Sequence, residues 1–381
     1  MRRRSFIGYV AVLALVAGMG AMGASAADPI KIGLVLPLSG ANSLSGTEVL
    51  AGVTLAVEEF NKAGGAGGRM VEIVQADDAG VPTQAVSAAQ KLIERDGVVA
   101  IIGSQTSNVS IAIGNVARRA SIPVVTSGAA SSEITDGNQA GDPWIFRGMP
   151  STLQQGQESA ADALNKLHLK RVAVVYDNSS YGRLLNDSFT EAFTKAGGEV
   201  VAREHYEQGE QDFYNLLSRI RTAKPDGVYI AGLVTEGAAI LRQAGELDFK
   251  TTFSGSGGMV TDSLLTLAGP ASEGLAVSVM YEPNTNNPVG KAFGERFQAR
   301  FSMPGNTLSG TGYDAAKIVT DAIKRATPVS GKTVRDAIRT SEVELVEGPP
   351  GSRAKFDDKG ASYFKLGLAI VQNGKRNLLP Y

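Results

Sequence analysis

From Ile30 onward the chain alternates short, β-branched apolar runs with amphipathic segments of helix length, and this alternation limits the fold more than any other feature. The run Ile30–Leu36 ends at Pro37 and the turn Leu38-Ser39-Gly40, which predicts a buried strand. Over residues 48–61, Val49, Val53, Ala56, Val57 and Phe60 recur at helical spacing and stop at Gly64-Gly65, which predicts a helix. The same reasoning predicts strands over 70–75, 98–102, 124–125, 172–176, 198–204 and 227–231. Helices are predicted between them over 84–95, 108–120, 153–167, 184–196 and 213–223. Strands separated by helices pair in parallel and are covered on both faces, so the expected class is doubly wound α/β.

The first residues have a different logic. Arg2, Arg3 and Arg4 precede an apolar run over 6–22 and the small-residue stretch Ala24-Ser25-Ala26, the three parts of a secretory signal peptide, with cleavage expected after Ala26. Arg3-Arg4-Ser5-Phe6-Ile7 also fits a twin-arginine pattern, so the general secretory and twin-arginine routes both stay open. The chain has no cysteine, which excludes a lipid on a cleavage-site thiol, a disulfide framework, thiolate metal ligands and a cysteine nucleophile. The exported chain is therefore expected free in a periplasm. Removing residues 1–26 from 381 leaves a length that usually divides into two domains. The 37 basic and 38 acidic residues of the full sequence are interspersed, which argues against nucleic acid or an anionic membrane surface as partner.

In doubly wound sheets a ligand sits beyond the carboxyl ends of the strands, where loops enter helices. Those loops read Ser104-Gln105-Thr106-Ser107, the stretch from Thr126 to Ser132, Asp177-Asn178-Ser179-Ser180-Tyr181-Gly182, and Ser254-Gly255-Ser256-Gly257-Gly258. Each offers hydroxyls and free N–H groups at a helix start, a neutral socket for an anion such as a carboxylate. The plainer alternative is that Ser107 and Ser132 cap their own helices. Tyr181 follows a polar turn, where its ring either walls off a ligand or packs loop against helix.

Enzymatic chemistry finds little support. His168 and His205 are the only histidines, both in charged surroundings, so a serine triad or imidazole metal site would rest on one of them. The glycine-rich stretch over 64–68 follows a helix and precedes a strand, the reverse of what phosphate cradling needs, and the loop 254–258 lacks a P-loop lysine. Asp77-Asp78 alone is a poor metal site and is better read as a strand end. No enzyme activity, cofactor or metal is expected.

Several stretches, taken in order, resemble the periplasmic leucine/isoleucine/valine-binding proteins, the substrate receptors of branched-chain amino-acid ABC importers. They are IGLVLPLSG over 32–40, 61–68 leading into Gln75-Ala76-Asp77-Asp78, VVAIIG over 98–103, IPVVTSGAASSEIT over 122–135, Asp177 to Gly182, and Phe356 to Gly360. The resemblance implies two doubly wound parallel-sheet lobes joined by a three-crossing hinge, near 148–152, 277–281 and 353–357. The implied segments are 27–150 and 279–355 in the first lobe, 151–278 and 356–381 in the second. It implies that Ser107, Gly128 and Ala130 hold a ligand carboxylate and that Tyr181 closes over it from the other lobe. Two positions depart from the family: Ala130 stands where a threonine is usual, and Gly257 where a glutamate meets the ammonium of an amino acid. Aromatic positions of the family pocket fall on Ser45 and Leu233. Either Glu236 or Asp177 replaces the missing carboxylate, or the ligand is an organic or aromatic acid without an ammonium. Implied partners are a small carboxylate ligand and the permease and ATPase subunits of an importer, with the receptor a monomer; a sensory module built on the same clamshell is the alternative.

Overall fold

The computed structural model describes residues 28–380; the export segment expected over 1–26 lies outside the described residues. The first elements are β1 (Ile30–Leu36), α1 (Ser43–Lys62), β2 (Val71–Asp77), α2 (Pro82–Lys91), β3 (Ile101–Gly103), α3 (Ser107–Arg119), β4 (Val124–Thr126), α4 (Glu133–Asp136) and β5 (Ile145–Arg147). Their strands form a five-stranded sheet in the order β2-β1-β3-β4-β5, with all neighbours parallel.

A second body follows: α5 (Thr152–Asn165), β6 (Arg171–Asp177), α6 (Ser180–Lys195), β7 (Glu199–Tyr206), α7 (Tyr214–Thr222), β8 (Gly227–Ala231), α8 (Val234–Glu246), β9 (Thr252–Gly255), α9 (Asp262–Ala268) and β10 (Ala276–Val279). The helices α10 (Pro288–Phe301), α11 (Thr307–Arg325) and α12 (Gly331–Arg339) come next, and β11 (Gly367–Gln372) and β12 (Lys375–Leu378) close the chain. The second sheet has the order β12-β11-β10-β9-β8-β6-β7. It is parallel from β10 to β7, while β11 and β12 add an antiparallel edge that strand–helix alternation does not predict.

Helix α11 lies against α1, although about 250 residues separate them. Two glycines allow it. A Cβ on Gly52 would sit 1.9 Å from the Ser309 carbonyl oxygen, and one on Gly312 would sit 2.3 Å from that of Val49, so the two backbones pack with no side chain between them. Arg296 and Arg300 on α10 pair with Glu59 and Glu58 at the end of α1. The segment after β10 thus covers the first sheet with helices and gives it no strand.

Up to residue 231, where the predicted elements stop, predicted and observed elements differ mainly at their ends. Helix α6 starts at Ser180, four residues before the periodic apolar pattern begins, because the Ser179 hydroxyl accepts the Gly182 N–H and caps it. The short α4 and the three-residue β5 were not predicted; neither is long enough to show a period. The third passage between lobes also falls later than the resemblance implies. Arg147 on β5 exchanges backbone hydrogen bonds with Gly360 and Ser362, whereas Tyr363 and Leu366 bond Glu158 on α5. The chain therefore leaves the first lobe after Ser362, and the boundary expected at 355/356 is corrected accordingly. Among the described residues no helix is long and apolar enough to cross a membrane.

Candidate functional site

A cavity lies between the two bodies and is lined by residues of both. Its walls come from the loops that leave the carboxyl ends of the strands. Gln105 to Asn108 follow β3, Gly128 and Ala130 follow β4, Ser179 and Tyr181 follow β6, and Gln208, Leu233 and Gly257 follow β7, β8 and β9. Met149 and Met280, on the first two passages between lobes, complete the apolar part with Leu308.

The first-lobe face is built for an anion. Ser107 is the first residue of α3, and neither it nor Ser132 caps its helix with a side-chain hydrogen bond. The Ser107 Oγ instead accepts the Ser131 N–H at 3.2 Å, which leaves its own proton free to donate. Among the described residues, no protein acceptor takes the backbone N–H groups of Ser107, Asn108, Gly128 or Ala130. They stand at a helix N-terminus and on the adjoining turn, where the helix dipole also favours negative charge. A Cβ on Gly128 would lie 3.1 Å from Gln105 Cγ, so glycine keeps this turn close to the β3 loop.

One layer behind the turn sits a buried cation. Arg147, 3% exposed, donates to the carbonyl oxygens of Ser131 and Met149 and to Thr135 Oγ1 at 2.8 Å. Burial lowers its pKa to about 10, so the guanidinium stays charged at neutral pH. The carboxylates of Asp136 and Asp357 are the charges that act on it, so the guanidinium is compensated locally and serves to hold the Ser131 and Met149 carbonyls in place.

The second-lobe face supplies the cover. Tyr181, 7% exposed, accepts the Gly258 N–H on its Oη at 3.1 Å and faces Gln155 Oε1 at 3.5 Å. Burial pushes its hydroxyl up to about 12, which keeps the proton on at physiological pH. Position 258 accepts only glycine: a Cβ there would stand 2.8 Å from the Gly232 carbonyl oxygen and 2.9 Å from Leu233 Cδ2.

Of the residues singled out from sequence, Ser107, Gly128, Ala130, Tyr181, Leu233 and Gly257 line the cavity together. Ser45 and Glu236 do not. Ser45 is buried near the start of α1, outside the lining. Glu236, in the first turn of α8, turns its Oε1 to the Gly209 N–H at 2.7 Å and so fixes the loop after β7. Asp177 is likewise engaged away from the lining, accepting the Ser179 N–H at 2.8 Å; burial, with Glu236 adding to it, raises its pKa to about 6. Among the described residues that line the cavity, none carries a formal charge at neutral pH.

Sequence reading missed the amides Gln155 and Gln208. Gln208 sits in a polar turn indistinguishable from any surface loop, and Gln155 is an internal position of an ordinary helix. Asn108 had a readable signal, since it directly follows Ser107 at the start of α3. His168 and His205 are exposed, Asp77 and Asp78 accept backbone amides of their own turn, and no cluster of three metal-ligating side chains occurs among the described residues.

A two-lobed α/β body with its pocket between the sheets defines a solute-binding clamshell, and comparisons specify which. Residues 29–372 match the periplasmic binding protein family. An amino acid binding protein of Pseudomonas aeruginosa is 31% identical over 363 residues, 94% of each chain. The leucine-specific-binding protein of Salmonella typhimurium is 29% identical over 360 residues, again 94% of each. Among solved structures, a leucine binding protein of Thermotoga maritima superposes with a TM-score of 0.85 at 30% identity, over 92% of this chain and 98% of that one. A solute binding protein of an R. palustris ABC transporter, solved in complex with benzoate, gives 0.83 at 26% identity, over 92% and 95%. The chain belongs to the periplasmic leucine/isoleucine/valine-binding protein family of ABC-transporter substrate-binding proteins, a family of receptors and not of enzymes.

Proposed function

We propose that this protein captures a small carboxylate that lacks an ammonium group, an aromatic or keto acid, and delivers it by lobe closure to the permease and ATPase of an importer. The observation that carries this reading is a lining without formal charge that presents unpaired backbone amides. Free amides at α3 and the 128–130 turn favour an anion, while no carboxylate in the lining offers itself to an ammonium. Enclosing an unpaired ammonium costs several kcal/mol. A carboxylate held by several N–H groups, plus apolar burial against Met149, Met280, Leu233 and Leu308, is sufficient for micromolar affinity, about 8 kcal/mol. The benzoate complex of the R. palustris relative is consistent with such a ligand.

An aliphatic amino acid is the second reading. It is favoured by the isoleucine complex of a Streptococcus pneumoniae relative and by Gln105 Oε1, a buried acceptor with no protein partner that would meet an ammonium as a neutral dipole. On either reading the receptor works as a free periplasmic monomer after cleavage behind Ala26, and neighbouring permease and ATPase genes distinguish import from sensing. The test is a thermal-shift panel of leucine, phenylalanine, their keto acids and benzoate, since a ligand that binds only the native form raises its melting temperature. Stabilisation by the acids and not by the amino acids supports the first reading; the reverse pattern refutes it.

A further inference from the structure

Ser180 opens α6 between two cavity residues, Ser179 and Tyr181, yet its own side chain points to the opposite lobe and does not line the cavity. Its N–H donates to Asn108 Oδ1 at 2.9 Å, and its Oγ lies 2.7 Å from Ser131 Oγ and within hydrogen-bond reach of Glu133 Oε2. A carboxylate only accepts, so Ser180 donates to Glu133 and Ser131 donates to Ser180. The Glu133 N–H donates in turn to Ser131 Oγ at 3.2 Å, which closes a ring of hydrogen bonds across the gap between lobes. All three partners belong to the first lobe. Two of them are continuous with the anion socket: Asn108 follows Ser107, and Ser131 follows Ala130 and has its N–H held by Ser107 Oγ.

We propose that Ser180 is a positioning residue that clasps the two lobes shut and ties that closure to the socket, because the bound anion orders the same Ser107–Asn108 and Ala130–Ser131 segments that grip it. The ring exists only when the lobes meet, so it stabilises the closed form selectively, and loss of it falls on the rate of ligand escape and not on the rate of entry. The link to the anion rests on the carboxylate reading given above; the clasp itself does not. At the other edge of the cleft, Thr235 bonds the Ala41 carbonyl oxygen and Ser263 bonds Glu48, with neither partner belonging to the socket.

The cysteine-free chain allows a direct test. In the variant carrying Ser131→Cys and Ser180→Cys, diamide oxidation without added ligand is expected to form an intramolecular disulfide that shuts the lobes, bars benzoate until reduced, and lowers the radius of gyration in solution scattering. Thiols that stay free under diamide overturn the clasp. In parallel, Ser180→Ala is expected to speed benzoate dissociation about tenfold while the association rate stays within about twofold. A dissociation rate equal to wild type overturns it as well. Failure of benzoate to bind the unmodified protein strikes the carboxylate reading alone, and the disulfide then decides the clasp.

Discussion

The hydroxyl oxygen of Tyr181 accepts the amide hydrogen of Gly258 at 3.1 Å, a contact that joins the start of α6 to the glycine turn after β9 and sets the ring as one wall of the cavity. Tyr181→Phe removes this acceptor and leaves a buried N–H unpaired, at a cost of about 1–3 kcal/mol. A lower melting temperature and weaker binding of the best ligand are expected together in differential scanning fluorimetry and calorimetry. Unchanged values for both would mean that the hydroxyl has no part in shaping the pocket.

Ser107 serves two partners, the Ser131 N–H and the ligand carboxylate. Ser107→Ala is expected to weaken the best acid by about 1–3 kcal/mol, measured by titration calorimetry. Ser107→Thr keeps the hydroxyl and should retain most of the affinity. Equal loss in both variants would assign the effect to altered packing at α3 and remove Ser107 from the carboxylate site.

At Gly257 a Cβ would lie 3.3 Å from Met280 Cε, a tight contact that the end of this flexible side chain can relieve, and 3.5 Å from Gln155 Oε1. Gly257→Glu would introduce a carboxylate into a neutral space tuned for an anion. Benzoate affinity is expected to fall at least about tenfold, the cost of a nearby like charge, while binding of leucine improves. Loss of neither ligand preference in a competition assay would show that position 257 does not select charge.

How far the sequence disclosed this arrangement depends on range. Strand β8 runs over the predicted residues 227–231, and the predicted loops Ser104–Ser107, Thr126–Ser132, Asp177–Gly182 and Ser254–Gly258 all contribute to the cavity, because strand periodicity fixes where each loop begins. Contacts made across the fold left no local trace. Nothing near Arg147 announces that it anchors the Ser131 carbonyl, and nothing near Gly52 announces Ser309. Glu236 was a candidate because acids near a pocket suggest a cation partner, yet the Gly209 amide claims it.

Glu48 gives closure a pH dependence. On α1 it accepts the Ser263 hydroxyl of α9 across the cleft at 3.0 Å, with Asn306 a further donor and Asp262 and Arg376 the nearby charges. Burial raises its pKa from 4.5 to about 7 in this closed form. Opening separates α1 from α9 and returns the carboxyl to water, so the closed form binds more protons than the open one. Closure, and with it affinity for an acid still ionised at pH 6, should therefore strengthen as pH falls from 8 to 6 and weaken above about 7. Glu48→Gln should flatten the profile, isolating this group from Asp177, Glu282 and Asp314, whose carboxyls burial also raises. A wild-type profile already flat over that range would refute the linkage.

Isothermal titration of the purified protein with leucine and with 4-methyl-2-oxopentanoate, its keto acid of the same carbon skeleton, tests the central claim most directly, because the two differ only at Cα, where a carbonyl oxygen replaces the ammonium and its hydrogen. The neutral lining predicts that the keto acid binds at least about a hundredfold more tightly, the penalty of an ammonium enclosed without a carboxylate partner. Tight leucine binding with no measurable heat from the keto acid would contradict it.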